Sequence, residues 1–413
     1  MEPLGVQPVL DPELTLLTLA CIGVGSAMGA ISGLIPGLHA NNFALVLASF
    51  APTVPASPLL VGVAMLSAGV VHTFVNAVPA LALGVPDAET AVTTLPAHRL
   101  VQQGRGEEAI RLTALGSLLA VCCGAVLAIP VTRGMEANYP TIMAHMELLL
   151  VAVVVAMIVA EPTRRAQIGG AIGMGTSALL GAVTLSIDPA APLDAGGMLA
   201  PLFAGLFGAP ILLDAMAGGG IPDQQDPKIR STRRRVLATA AAGALAGAVV
   251  GYLPGISAAI AAVAVLALLP GGVDDRGYVV ATSGVDTANT IFALFALSAI
   301  GQPRTGVMVA FQETGAPVDL PLLLAAVALS GVIGFLIVLT VGDWYLQVVG
   351  GADYRVLSVS VIALLIVLSA LLAGPIGIAA FGVATLIGLI PPHLGARRVH
   401  LMGVLIGPLV LSL

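Results

Sequence analysis

The sequence is poor in charged residues, in aromatic residues and in cysteine. Charged side chains make up 9% of the 413 residues and aromatic side chains 4%, whereas 58% of the residues are hydrophobic. An average soluble domain has about 25% charged residues, and the mean hydropathy of this chain is +1.04. A chain of this length could not bury so much apolar surface in water. The scarcity of charge therefore excludes a soluble globular protein and predicts a membrane protein.

Several classes of function lack their sequence signatures. The 16 basic residues are outnumbered by 22 acidic ones, and no basic stripe alternates with aromatic residues, so we expect no nucleic-acid partner. Cys21, Cys122 and Cys123 lie in apolar runs and are predicted to be small buried hydrophobic residues rather than disulfide partners or metal ligands. Walker, H-E-x-x-H and G-x-S-x-G motifs are absent. The sequence thus predicts neither an ATPase nor another enzyme, and no metal or organic cofactor.

Long apolar runs without strand-type alternation predict an all-α polytopic membrane protein. At about 20 residues per spanning helix, the runs suffice for about ten to twelve spans. The runs at 38–51 and 256–270 are too short to cross a bilayer, so they predict two interrupted or re-entrant segments. The 49 glycines and 28 prolines are typical of close helix packing and broken helices in membranes.

The distribution of charge predicts the orientation in the cell membrane. The N-terminus carries Glu2, Asp11 and Glu13 and no basic residue, so we expect it outside and not to be a signal peptide. The loop 84–111 contains three arginines, and the linker 219–235 contains Lys228 and four arginines. The positive-inside rule places both of these segments in the cytoplasm.

A glycine-proline motif occurs twice and divides the chain into two halves. Residues 26–37 read SAMGAISGLIPG and residues 244–255 read ALAGAVVGYLPG. The predicted halves are 1–218, with a break at 33–42, and 236–413, with a break at 251–260; the basic linker 219–235 joins them. Opposite charge flanks predict inverted topology, which is typical of secondary transporters. The alternative is that these motifs only mark tight helix packing. The residues of the breaks are Gly33, Pro36, Gly251 and Pro254.

Each predicted break exposes the N-terminus of a half-helix. Proline ends the preceding helix, and the unpaired N–H groups that follow carry the positive end of the helix dipole, which favours an anion. An asparagine at such a position could instead only cap its helix. The residues predicted to bind the anion there are Gly37, Leu38, His39, Asn41 and Asn42 in the first half and Gly255, Ile256 and Ser257 in the second.

Polar residues within the apolar runs complete the predicted site. His72 and Asn76 lie four residues apart and share a helix face that we expect to point inward. Asn76 and Asn289 are predicted substrate contacts. Asp286, with Thr287 beside it, is predicted to bind a coupling cation or carry a proton. The alternative for Asp286 is a shallow position near the membrane surface.

Several short motifs lie in the segment 66–120 and at the two glycine-proline motifs. They are GLIPG at 33–37, GVPD at 84–87, the threonine-rich stretch 90–94, HRLVQQGRG at 98–106 with its continuation GEEAIRLTALGS, and LPG at 253–255. With these motifs the segment 66–120 resembles the TctA family, the large membrane subunit of tripartite tricarboxylate transporters. The resemblance implies a secondary-transporter fold and cation-coupled uptake of di- or tricarboxylates. The chain departs from the family at PGLHANN, at Phe74–Ala77 and at Gly84, so citrate-type specificity is not implied.

The sequence therefore predicts a secondary active transporter for an organic anion such as a di- or tricarboxylate. It would work by alternating access, with a sodium ion or a proton as the coupling ion. Two alternatives stay open: a translocase for a polyprenyl-phosphate lipid carrier, and a membrane scaffold subunit that transports nothing. The expected partners are the anion, the lipid bilayer, a small membrane subunit and a solute-binding protein; homo-oligomerisation is left open.

Overall fold

The regular structure of the described residues is helical. The computed structural model describes residues 11–36, 38, 40–83, 94–193, 197–216, 222–224, 228–253, 258, 261–262, 274–351 and 353–411, and no strand occurs within these ranges. The predicted all-α class is confirmed. The described α-helices are α1 (Pro12–Leu34), α2 (Ala40–Phe50), α3 (Pro58–Val75), α4 (Ala77–Leu83), α5 (Thr94–Gln102), α6 (Gly106–Ala144), α7 (Met146–Val159), α8 (Arg164–Thr184), α9 (Leu199–Phe203), α10 (Ala209–Ala215), α11 (Arg233–Val250), α12 (Asp275–Ile300), α13 (Gly306–Glu313), α14 (Leu320–Gly350), α15 (Tyr354–His393) and α16 (Gly403–Val410).

Seven helical segments of the described residues are long and apolar enough to cross a membrane. The protein is thus a multi-pass membrane protein. Shorter apolar helices occur at Met146–Val159, Leu199–Asp214 and Arg398–Val410. They are compatible with the expected ten to twelve spans, and that number stays a prediction. The seven segments are α1, α3 with α4 (Pro58–Leu83), α6, α8, α12, α14 and α15 without its first residue (Arg355–His393).

An interruption between α1 and α2 lies at the position of the first predicted break. The helix α1 ends at Leu34, Ile35 is extended with ψ of 111°, and α2 begins only at Ala40. Pro36 explains this end, because it has no N–H to continue the ladder and crowds the preceding turn. In the second half, α11 ends at Val250 and residues 251–253 form a turn. Pro254 lies outside the described residues.

A further break lies at Gly374, inside α15. Its backbone angles are φ 59° and ψ −156°, and Pro375 follows. A Cβ at Gly374 would lie 2.5 Å from the carbonyl oxygen of Ala190, so both the backbone angle and the space require glycine. The break separates the apolar runs 356–373 and 375–391, which the sequence indicates as two runs.

Glycines hold α1 against α3 in a close crossing. A Cβ added at Gly25 or Gly29 would overlap the backbone carbonyl oxygen of Ala64 or Ala68, and one at Gly33 would lie 3.1 Å from the amide nitrogen of Asn76. Such small-residue contacts let two backbones approach closely in a membrane.

The same pattern holds α11 against α12. Each of its glycines, Gly243, Gly247 and Gly251, lies 218 positions after its counterpart (243 − 25). A Cβ added at these glycines would overlap or crowd the backbone of Ala281, Val285 and Asn289. On the partner helix the shift is 217 positions (281 − 64). In this register the counterpart of Asn289 is His72 (289 − 72), because their carbonyl oxygens face Gly251 and Gly33. Asn76 instead corresponds to Ala293, so the two asparagines singled out in the sequence are not counterparts.

A buried carboxylate ties the linker between the halves to both of them. Glu108 of α6 is fully buried. Its Oε2 accepts from Nε of Arg105 at 2.6 Å, and its Oε1 accepts from Nε of Arg276 at 2.9 Å and from the backbone N–H of Arg230 at 2.7 Å. A second buried carboxylate, Glu161, accepts from Arg397 Nε at 2.9 Å. The ion pairs of Glu108 with Arg276 and of Glu161 with Arg397 join segments that are distant in the chain.

The prediction that the three cysteines are buried is wrong. Cys122 is exposed, and Cys21 and Cys123 are partly exposed; all three are free thiols. The reason is that residues facing lipid and residues facing the interior are both apolar in a membrane protein. An apolar run therefore does not reveal which of its residues are buried.

Candidate functional site

Polar residues of the two halves meet where α3 packs against α12. The amide Nδ2 of Asn76 donates a hydrogen bond to Oδ2 of Asp286 over 3.1 Å. The hydroxyl oxygens of Thr73 and Thr287 lie 3.2 Å apart and share a hydrogen bond. All four residues are buried. We call this group, Thr73, Asn76, Asp286 and Thr287, the polar cluster.

Asp286 is buried and lies far from the start of its helix. It is 3% exposed and follows the first residue of α12, Asp275, by eleven positions (286 − 275), or about 16 Å at 1.5 Å per residue. Burying a carboxylate is costly unless donors satisfy it. The amide of Asn76 provides such a donor from the other half of the chain.

A small cavity of about 10 Å³ adjoins the polar cluster. This volume is close to that required by one water molecule. Thr282 donates to its own helix at the carbonyl of Tyr278, which leaves its oxygen lone pairs free to face a ligand. The cavity thus offers oxygen atoms and one carboxylate, the ligands that hard cations prefer. Its lining residues are Thr73, Asn76, Ala77, Ala80, Leu81, Ala97, Thr113, Thr282, Ser283 and Asp286.

The end of α1 contacts the same region. Ser32 Oγ lies 2.8 Å from Nδ1 of His72, in a buried hydrogen bond. His72 lies one turn before Asn76, and both are buried, as expected for a face that points inward. The first helix break is thereby placed beside the polar cluster, because Ser32 lies four residues before Pro36.

The other predicted site residues fall in different positions. Asn289 is buried and its carbonyl faces Gly251 at the end of α11, one turn from Asp286. Leu38 is buried, and its amide donates to the carbonyl of Ile35. The backbones of Asn41 and Asn42 belong to the first turn of α2; their side chains lie outside the described part. Gly37, His39, Gly255, Ile256 and Ser257 also lie outside the described residues.

Sequence reasoning missed several cavity residues. Thr113, Thr282 and Ser283 line the cavity and were not singled out. Thr282 and Ser283 lie four and three residues before Asp286, so helical spacing alone could have placed them on its face. Thr113 could not have been found in this way, because it lies on α6 in the other half.

The short helix α5 covers one end of the cavity. Ala97 contributes to the lining, and His98 Nδ1 lies 2.9 Å from the carbonyl oxygen of Leu81. Burial lowers the pKa of His98 below its usual range, so its ring is neutral at pH 7 and Nδ1–H donates to that carbonyl. Arg99 forms a 2.9 Å ion pair with Asp275 at the start of α12. These contacts attach α5 to α4, which follows α3 directly in the chain, and to α12.

The fold and site together define a polytopic helical membrane protein with a buried polar cluster between two glycine-packed helix pairs. The family model of the tripartite tricarboxylate transporter TctA family matches residues 19–403. The chain therefore belongs to the TctA family, which is a family of transporter components. It is 26% identical over 346 residues to the uncharacterized protein MJ1079 of Methanocaldococcus jannaschii, a match that covers 83% of this chain and 84% of that protein. No solved structure matches the chain.

Proposed function

We propose that this chain is the permease subunit of a secondary active transporter for a small organic anion of the di- or tricarboxylate class. The observation that carries the proposal is the contact between Asn76 and Asp286, which places a buried carboxylate of one half against an amide of the other. An ionisable residue inside a membrane bundle marks an ion or substrate pathway by default. Membership of a tricarboxylate transporter family supports the carboxylate class.

Two inverted halves would supply the alternating-access movement. The recurring register of glycine contacts, from Gly25–Gly33 to Gly243–Gly251, supports this arrangement. The anion would bind at the half-helix ends that follow Pro36 and Pro254, as the dipole argument predicts. Asp286 and Thr287 would hold the coupling ion, a sodium ion or a proton. A small membrane subunit and a solute-binding protein would complete the transporter.

The lipid-carrier alternative would require a lipid-accessible opening at the helix break. An apolar cavity of about 320 Å³ does lie between α1, α2 and α3. Its described lining extends on α1 from Leu17 to Met28 and on α2 from Leu47 to Phe50, so the described part of the cavity lies away from the break at 33–42. This position favours the soluble anion over a polyprenyl phosphate as substrate.

The proposal is tested by ligand-dependent melting and by uptake. Purified protein is heated with malonate, succinate or citrate in sodium, potassium or choline buffers at two pH values, and proteoliposomes are assayed for uptake of the stabilising anion. A ligand at 100 times its Kd stabilises by about 2.7 kcal/mol, which a melting curve detects. The expected result is a rise in Tm with at least one anion, and cation-dependent uptake that Asp286→Asn abolishes. Absence of both effects under all these conditions favours the scaffold alternative and overturns the proposal.

A further inference from the structure

The helix α13 packs against α3 through two apolar side chains, each of which contacts a glycine of α3. A Cβ at Gly69 would lie 2.8 Å from Cγ1 of Val307, and one at Gly62 would lie 2.5 Å from Cε2 of Phe311. Val307 is 1% exposed and Phe311 0% exposed. Gly62 and Gly69 are two turns apart on one face, and Val307 and Phe311 are one turn apart on theirs. We call these four residues the glycine seat.

The glycine seat lies on the approach to the polar cluster. Gly69 precedes Asn76 by seven residues on the same helix, or about 10 Å. With the shift of 217 positions that relates α3 to α12, the counterpart of Gly69 is Asp286 (286 − 69). At equivalent positions, therefore, the second half presents a carboxylate to a polar cavity, whereas the first half presents a glycine that Val307 covers.

The cavity extends away from the glycine seat. From the polar cluster, its lining follows α12 back to Thr282 and α3–α4 forward to Leu81, and it includes Ala97 of α5. The two helices are antiparallel here, so both directions lead to the end of the molecule where α5 lies. On the α13 side, the lining ends at Thr73 and Asp286. Among the described residues, the two sides of the polar cluster thus differ: one has a cavity, and on the other Val307 covers Gly69.

Glycines with left-handed backbone angles flank α13. Gly301 has φ of 68° and Gly315 has φ of 69°, and a Cβ at either position would meet no atom within 4 Å. Thr305 caps the first turn of α13 through the amide of Met308, so the helix itself is well defined. A short capped helix between two permissive residues can rotate as a unit, since hinges are a few residues that absorb the change in backbone angles.

We propose that Val307 and Phe311 form the gate that closes the path to the polar cluster from the α13 side, and that α5 covers the opposite side. The inference rests on the proposed transport function. In the present conformation the cavity that adjoins the polar cluster lies on the α5 side, where Ala97 of α5 lines it. Movement of α13 away from Gly62 and Gly69 opens the other path. Because these two glycines have no side chains, Val307 and Phe311 can leave and return without any rearrangement of side chains on α3.

The test measures the accessibility of a cysteine in the cavity from each side of the membrane. Cys21, Cys122 and Cys123 are replaced by serine, and Ala80→Cys provides the reporter because Ala80 lines the cavity. A membrane-impermeant thiol reagent is applied to either face of oriented vesicles. Separate Glu313→Cys and Gln102→Cys variants, both at exposed positions, identify the α13 side and the α5 side.

The expected result is that the reagent modifies the Ala80→Cys reporter faster from the α5 side. Val307→Ala with Phe311→Ala should then raise the modification rate from the α13 side by about tenfold or more, because a closed gate keeps the open state at the level of a minor conformer. Val121→Ala is the matched control, since Val121 also sits on a glycine, Gly331, at 3.0 Å, and it should change neither rate.

Equal modification from both sides before any gate substitution would overturn the proposal. So would an unchanged rate from the α13 side in the gate variant, once its size-exclusion profile and Tm show that it is folded. If the gate variant does not fold, Val307→Ala alone replaces it and the same criteria apply. The assay requires no substrate. The gate proposal can therefore be overturned while the proposal of anion transport stands, and the transport proposal can be overturned while the gate proposal stands.

Discussion

Asn76 Nδ2 donates to Asp286 Oδ2 over 3.1 Å although the two residues are 210 positions apart in the chain. The contact joins α3 of the first half to α12 of the second, at a depth where a carboxylate without donors would be strongly destabilising. A movement of one half against the other must either keep this hydrogen bond or exchange it for a ligand. The pair is therefore well placed to couple ion binding to movement.

A charge swap tests this pair directly. Asn76→Asp should destabilise the protein by about 1–3 kcal/mol, because it places two carboxylates within hydrogen-bonding distance and one must be protonated or unsatisfied. Adding Asp286→Asn to that variant restores one donor and one carboxylate, so the double variant should recover most of the loss in Tm. A double variant that is no more stable than Asn76→Asp would show that the two side chains do not interact.

The glycine crossing of α1 and α3 should tolerate no methyl group. Gly29→Ala forces a Cβ into the backbone carbonyl of Ala68, and overpacking of this kind typically costs about 1–3 kcal/mol. Gly23→Ala is the control on the same helix, because a Cβ there meets nothing within 4 Å and alanine favours helix over glycine. Thermal unfolding should show a lower Tm for Gly29→Ala only. An equal effect of both substitutions would contradict the close crossing.

Removal of the buried Glu108 carboxylate should be far more damaging than removal of a partly exposed one. Glu108→Gln leaves Arg105 and Arg276 without their carboxylate, and breaking a buried pair in this way costs about 3–5 kcal/mol. Asp343→Asn, whose ion pair with Arg111 is 28% and 29% exposed, should cost at most about 1 kcal/mol. The measurement is Tm in detergent. Similar losses for the two variants would show that Glu108 does not hold the linker and the two halves together.

The contribution of the Glu161 carboxylate to the stability of the protein should depend on pH. Burial by itself would raise the pKa of Glu161, but hydrogen bonds from Arg397 and His400 outweigh it and lower the pKa below its ordinary value of 4.5. A lowered pKa in the folded state stabilises the protein above that value, and this contribution disappears as the pH falls through the folded-state pKa.

Glu161→Gln should therefore lower Tm at pH 7, and the difference from the unsubstituted protein should shrink as the pH falls below 4.5. Glu136→Gln, at an exposed position of α6, is the control and should leave Tm at pH 7 nearly unchanged. The measurement is Tm from pH 7 to 3. A Tm difference that stays constant over this range would contradict the role of the carboxylate charge.

Local features of the sequence were sufficient for the helical class and for the first interruption. Hydropathy over about 20 residues identifies a helix that can cross a bilayer, and Pro36 ends α1 through its own covalent structure. Asp286 was also identifiable, because an acid inside an apolar run is rare. Each of these features depends on residues that are close together in the chain.

Local features of the sequence could not predict the exposure of the cysteines or which residues of the two halves correspond to one another. The apolar runs do not distinguish a lipid-facing residue from a buried one, so Cys122 was misplaced. The sequence pairs Asn76 with Asn289 by their position in a run, whereas the packing pairs His72 with Asn289 because both face the last glycine of a helix crossing.

By itself, the sequence determined a helical, multi-pass membrane protein with a proline-glycine break and a buried acid. Only the tertiary structure decided that Asn76 meets Asp286, that Thr113 joins them at the cavity and that Val307 covers Gly69. The physical reason is that helix propensity and hydropathy act along the chain, whereas these contacts arise from the faces that distant helices bury against one another.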